Sequence, residues 1–191
     1  MELAALQTAS PHTITEIDLV TFAKQGDTQA YGELVRRHHN AIINIVYRMC
    51  GDSTLAEDAA QEAFIRAWQH LHTYQPKAAF RTWLCRIALN AAKNLLRQEK
   101  PVADVDNFDF RDVKASPEQS YVNNEKALSV QKAVIGLPEA SRAALILREY
   151  EGFSYQEIAE TLDIPIGTVM SRLNYARKSL RQTLAAYMEA G

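Results

Sequence analysis

With 191 residues, 47% of them hydrophobic and 23% charged, the chain has ordinary globular composition and length for one medium domain or two small ones, which excludes a disordered or fibrous protein. Two cysteines, Cys50 and Cys85, exclude a disulfide framework, and a net charge of −2 excludes a uniformly basic nucleic-acid binder. No apolar run approaches the roughly 18 residues of a membrane span, and Met1 to Thr15 lacks the pattern of a secretory signal, so a cytoplasmic location without direct membrane insertion is expected.

Helical periodicity dominates and strand alternation is nearly absent. Thr15 followed by Asp18 opens a short helix through Ile17, Val20 and Phe22 that Gly26 stops. Asp27 caps a long helix holding Tyr31, Leu34, Val35, Ile42, Ile45, Val46 and Met49, which ends at Gly51. Thr54 with Glu57 forms the capping box expected for a third helix, running to about Leu71. Its inward stripe is Ala56, Ala60, Ala63, Phe64, Ala67 and Leu71. Asp58, Gln61 and Glu62 lie together elsewhere on it, with Ile65 and Trp68 extending that side. Acid bordered by exposed apolar bulk repels DNA and suits a protein partner; a solvated helix is the alternative.

A loop from His72 to Ala79 precedes a fourth helix, Phe80 to about Gln98, with Phe80, Leu84, Ile87, Ala91 and Leu95 as its core stripe. Arg86, Asn90, Lys93 and Arg97 recur at spacings of four, three and four, so they share its far side. Cations in a row can follow a phosphate backbone, and an Asn among them can hydrogen-bond a base edge. Tyr74, Phe80 and Trp83 sit near Lys77 and Arg81. Phe80 and Trp83 read as core, and Tyr74 is the candidate for stacking on an unpaired base. From Arg66 to Lys100 seven cations face one anion, and Ile164 to Leu184 has four cations and none. Between these basic patches, Asp104, Asp106, Asp109 and Asp112 mark an acidic stretch that reads as a flexible linker. In the free protein that strand can fold back on its own basic patches; a solvated spacer is the alternative.

The second helical group runs through 127–135, then Pro138 to Tyr150, then two helices from Ser154 onward. Ser154 with Glu157 caps the first of these, and Asp163-Ile164-Pro165 breaks it, because proline removes a donor and restricts the residue before it. A final helix from Thr168 to Leu184 buries Val169, Leu173, Ala176, Leu180 and Leu184. Its other side carries Gly167, Ser171, Asn174 and Lys178, flanked by Thr168, Arg172, Tyr175 and Arg181, with Arg177 nearby. Small and polar residues in the first turns, followed by cations, suit a helix entering the major groove with phosphate contacts behind. The fold expected is all-α: two small helical domains on a flexible acidic linker, with boundaries at 14–99, 100–117 and 118–189, the second holding a helix-turn-helix.

At this point a family resemblance is close. Asp58-Ala59-Ala60-Gln61-Glu62-Ala63-Phe64-Ile65-Arg66-Ala67-Trp68 resembles region 2.2 of the group IV, extracytoplasmic-function sigma factors. Phe80 to Asn90 resembles their promoter-melting and −10 segment. Leu137-Pro138 through Arg177, with Gly152-Phe153-Ser154-Tyr155-Gln156-Glu157 and Gly167-Thr168-Val169, resembles their −35-reading domain. The resemblance implies that Asp58, Gln61, Glu62 and Ile65 dock on core RNA polymerase. It implies that Tyr74, Lys77, Arg81, Arg86, Asn90, Lys93 and Arg97 hold the −10 strand. Thr168, Ser171, Arg172, Asn174, Tyr175, Arg177 and Lys178 would then meet the −35 duplex of promoter DNA, and an anti-sigma factor is a further expected partner. Met170 and Tyr175 stand where the family often has cations, so they depart from its pattern.

Other classes fit less well. His38, His39, His70 and His72 with Cys50 and Cys85 lack metal-ligand spacing, and no phosphate loop or nucleophile–base set stands out, so neither an enzyme, a metal nor a cofactor is expected. A helix-turn-helix regulator acting apart from polymerase is the alternative, but it leaves the cationic, Asn-bearing fourth helix unexplained.

Overall fold

The computed structural model describes residues 14–98 and 127–189, and all regular elements among them are helical. The first group comprises α1 (Glu16–Lys24), α2 (Thr28–Cys50), α3 (Ser53–His70), a 3-10 turn (Leu71–Thr73) and α4 (Phe80–Gln98). The second comprises α5 (residues 127–135), α6 (Glu139–Leu145) continuing as a π turn (Ile146–Tyr150), α7 (Tyr155–Leu162) and α8 (Ile166–Glu189). The expected linker, with its four aspartates and their fold-back, lies outside the described residues.

Local chemistry accounts for most helix ends. The Thr15 hydroxyl accepts from the Asp18 amide while the Asp18 carboxylate accepts from the Thr15 amide at 3.0 Å, and Asp27 accepts from Gln29 and Ala30. α3 departs from expectation. Gly51 ends α2 in the left-handed region at φ 80°, which leaves Asp52 as the extended residue between the helices. Asp52 caps α3 by accepting from the Leu55 amide at 2.9 Å, and Thr54 is already helical, so no Thr54–Glu57 box forms. α8 starts at Ile166 rather than Thr168. Asp163, left-handed at φ 55°, closes α7, and the Pro165 carbonyl accepts from the Thr168 and Val169 amides, so helix begins immediately after the proline.

α2 supplies the large core residues of the first group, Ile42, Ile45, Val46 and Met49, all at most 1% exposed. Against them α3 sets Ala56, Ala59, Ala60 and Ala63, and such small side chains let the helices approach closely. α4 closes this bundle with Leu84, Ala88, Leu89 and Ala92, and α1 lies across α2. In the second group α6 and α7 pack on α8 through Ile158, Val169, Leu173 and Ala176.

The two helical domains expected from the sequence are present, and they also pack on one another. α4 packs on α7, α2 packs on α6 and the π turn, and the buried side chains form one continuous core. Arg142 of α6 ties the groups together, donating to the Met49 carbonyl of α2 and to the carbonyls of Ile135 and Leu137. Its burial pushes the guanidinium below its ordinary pKa, and the carbonyls it meets are the partners a buried cation requires. A Cβ at Gly51 would lie 2.3 Å from Cδ1 of Ile135, so that glycine serves both its own turn and this seam.

Candidate polymerase and nucleic-acid interfaces

On α3, Asp58, Gln61 and Ile65 are exposed, and Ile65 at 46% is among the larger apolar side chains in water. Glu62 is half-buried and accepts from Arg66 one turn on. Trp68 does not extend this surface as expected. It turns onto Tyr31 of α2, ring centres 4.7 Å apart, while the Tyr31 hydroxyl donates to the Phe64 carbonyl at 2.5 Å. The patch is therefore acidic, with Ile65 its one large exposed apolar side chain.

The loop before α4 is built around Tyr74, which is 7% exposed. Its ring packs edge-on to Phe80 and lies 5.2 Å from Trp83, its hydroxyl donates to the Ala78 carbonyl at 2.7 Å, and its own carbonyl accepts from Lys24 at 2.8 Å. A ring so enclosed has no free surface on which a base could stack. Tyr74 as a base platform is corrected: it is the anchor that shapes the loop. Lys77 is exposed at the loop's rim, beside a cavity of about 390 Å³ between α1 and the loop.

α4 presents Arg86, Asn90 and Arg97 to solvent with Lys93 half-buried beside them, all on the side opposite its core stripe. Arg81 is not on that side. It reaches the second group, donating to the Glu151 carboxylate and to the Glu151 carbonyl at 3.0 Å, with its guanidinium 4.8 Å from the Phe153 ring centre. Glu151 is nearly buried, at 8% side-chain exposure, so this pair is part of the packing between groups. As a −10 contact in this arrangement, Arg81 is corrected. Arg86 stays at the edge, bonded to the Asp163 carboxylate at 3.0 Å, and both side chains remain exposed. Cys85, between the two arginines in sequence, is fully buried, and burial pushes its thiol up to about 12.

The helix-turn-helix is α7, the turn Asp163 to Pro165, and α8. Ser154 caps α7 reciprocally with Glu157, and those hydrogen bonds hold the Glu157 carboxyl below its ordinary value. On α8, Gly167, Ser171, Asn174, Tyr175 and Lys178 are exposed, and Thr168 and Arg172 are half-buried at the border. Arg177 is drawn aside: Nε and Nη2 both donate to Glu149 of the π turn, at 3.1 and 2.7 Å. Both side chains stay exposed, at 41% and 46%, so this weak surface pair holds Arg177 beside the proposed −35 surface without burying it. Arg142, Glu149, Glu151 and Asp163, which organise these contacts, carried no periodic signal; only Asp163, before an Ile-Pro pair, marked a turn.

Among the described residues no cluster of three or more His, Cys, Asp or Glu side chains could hold a metal, and no helix is long and apolar enough to cross a membrane. Residues 34–102 match the family described as Sigma-70 region 2, and residues 127–180 that described as Sigma-70, region 4. The chain is 38% identical over 178 residues to the RNA polymerase sigma-H factor of Pseudomonas aeruginosa, spanning 87% of this chain and 92% of that protein. It is 35% identical over 187 residues to the ECF RNA polymerase sigma-E factor of Haemophilus influenzae, spanning 92% of this chain and 98% of the other. Among solved structures, CnrH in complex with the cytosolic domain of CnrY superposes with a TM-score of 0.69 at 26% identity, covering 90% of this chain and 97% of that one.

Proposed function

The chain belongs to the extracytoplasmic-function class of sigma-70 factors, and from that membership we propose how its exposed surfaces divide the work of initiation. It is a non-enzymatic subunit that joins core RNA polymerase and directs it to promoters, not a regulator acting apart from polymerase. The acidic surface of α3, with Asp58, Gln61, Glu62 and Ile65, takes the polymerase. Arg86, Asn90, Lys93 and Arg97 of α4, with Lys77 of the preceding loop, take the −10 strand, and Arg81 joins them only when the two helical groups part. Ser171, Asn174, Tyr175 and Lys178 of α8, bordered by Thr168 and Arg172, take the −35 duplex. Functionally the chain divides at 14–99, 100–117 and 118–189, and it works in the cytoplasm. The solved relative is bound by a cytosolic domain of a second protein, which supports an anti-sigma partner here.

One observation carries this reading: the three surfaces are exposed, and their charges match different partners. The α3 patch is acidic and suits protein, whereas those on α4 and α8 are cationic, each with an exposed Asn able to pair with a base edge. Reversing charge in Asp58→Lys/Glu62→Lys tests it. The variant should keep its helicity, lose most of its binding to core polymerase and lose run-off transcription. Parent-like core binding would sink the assignment of α3.

A further inference from the structure

We propose that Met170 of α8 is a specificity-determining residue that reads the methyl group of a thymine in the −35 duplex. The inference rests on α8 being the −35 helix and adds a residue and a base chemistry to that reading. Met170 is 49% exposed although it lies in the second turn of α8, next to Ser171 and one turn before Asn174. It contributes nothing essential to the fold, because Val169, Leu173 and Ala176 on the opposite stripe are each fully buried and hold α8 to the domain. Ile166, one turn earlier and 43% exposed, continues the same apolar ridge. Beside the ridge, a Cβ added at Gly167 would meet no atom within 4 Å, so the first turn is open to an approaching duplex.

The chemistry of a thioether narrows what this ridge can meet. Methionine donates no hydrogen bond, so it offers nothing to a phosphate, to guanine O6 and N7, or to adenine N7. In the major groove the apolar group that an unmodified base pair presents is the C5 methyl of thymine. A helix enters the groove by its first turns, which puts position 170 at base-edge depth together with Ser171 and Asn174. The unbranched Met side chain can adjust to the methyl, and covering the two apolar groups removes both from water. Asn174 at the next turn pairs with adenine by its amide, so Met170 and Asn174 together favour A·T pairs in adjoining steps.

The test uses holoenzyme reconstituted from the full chain and core polymerase. A −35 element is first selected from a randomised duplex pool, and each of its thymines is then replaced by deoxyuridine, which removes only the methyl. At one thymine the parent should lose about fourfold in affinity, the value of one buried methyl group. Met170→Ala should bind thymine and uracil equally there, and Met170→Leu should keep the preference. A parent indifferent to every thymine-to-uracil change, or Met170→Ala with the parent's preference, overturns the proposal. If the pool yields no −35 preference at all, the reading of α8 fails as well; a selected element without methyl sensitivity removes Met170 alone.

Discussion

At the scale of single residues, the side chains that shape the proposed DNA surfaces are distinct from those proposed to touch DNA. Tyr74 shows the difference. A tyrosine among cations suggests a platform for bases, yet its ring is enclosed by Phe80 and Trp83, and its hydroxyl holds the Ala78 carbonyl. Burial also pushes its phenol above the ordinary pKa, so the hydroxyl stays a donor throughout the physiological range. Tyr74→Phe should therefore destabilise the protein by about 1 kcal/mol, the net value of one hydrogen bond, which lowers the melting temperature by about 2–4 °C. Binding of single-stranded −10 DNA should weaken only slightly, since the ring remains. Loss of DNA binding without loss of stability, read by calorimetry and fluorescence titration, would restore Tyr74 as a direct contact.

Single helices separate recognition from attraction. On α4, Arg86, Lys93 and Arg97 follow one edge at a helical pitch suited to successive phosphates, and Asn90 among them offers an amide to a base. Lys93→Ala and Arg97→Ala should each lower affinity for any −10 strand and reduce the slope of log affinity against log salt by about 1. Asn90→Ala should leave that slope unchanged and instead relax the base preference of promoter opening. Salt titration of strand binding, paired with permanganate footprinting of the open complex, reads both effects; identical behaviour of all three variants would remove the distinction. The periodicity that defined these helices also set which residues share a side, so most of α4 and α8 was legible in the sequence. What the sequence did not show is that Arg81 and Arg177 are paired with Glu151 and Glu149, because a helical wheel records direction around an axis and not which element stands in that direction.

In the whole molecule the two helical domains pack together, and their contact engages two of the cations proposed for the −10 strand. Glu151 and Asp163, both from the second group, pair with Arg81 and Arg86, so these carboxylates compete with any phosphate for the two cations. Gly51 against Ile135, Arg142 on the end of α2, and Arg48 stacked 4.2 Å from the Tyr150 ring centre continue this seam. The acidic counterpart to the basic α4 thus comes from the second domain itself. The exposed Arg86–Asp163 pair contributes little to closure and is screened by salt, whereas the enclosed Glu151 carboxylate contributes more. Glu151→Gln/Asp163→Asn should loosen the seam while keeping the turn, since Asn also accepts the left-handed backbone at 163. The free variant should bind a −10 single strand about tenfold more tightly than the parent, because more molecules are open at any moment. Fluorescence transfer between dyes on α3 and α8 should fall at the same time; unchanged transfer and affinity would show that closure does not limit binding.

By itself the sequence determined the helices, most of the buried stripes of α2, α3 and α4, the break at Asp163-Ile164-Pro165 and the family; on α1 it pointed to Ile17 and Phe22, which are exposed. The features it determined depend on residue spacing and on hydrogen bonds within a few positions, and spacing survives without knowledge of what lies nearby. Only the tertiary structure decided that Asp52 caps α3, that Tyr74 is enclosed, and that Arg81, Arg142 and Arg177 bond across the fold. An arginine on a helix border has the same local signature whether it meets phosphate, water or a carboxylate 70 residues away. Its partner is chosen by how the helices pack: buried Arg142 must find carbonyls because a charge in low dielectric cannot go unpartnered, whereas the partly exposed Arg81 and Arg177 take the carboxylates that packing brings within reach, wherever along the chain those lie.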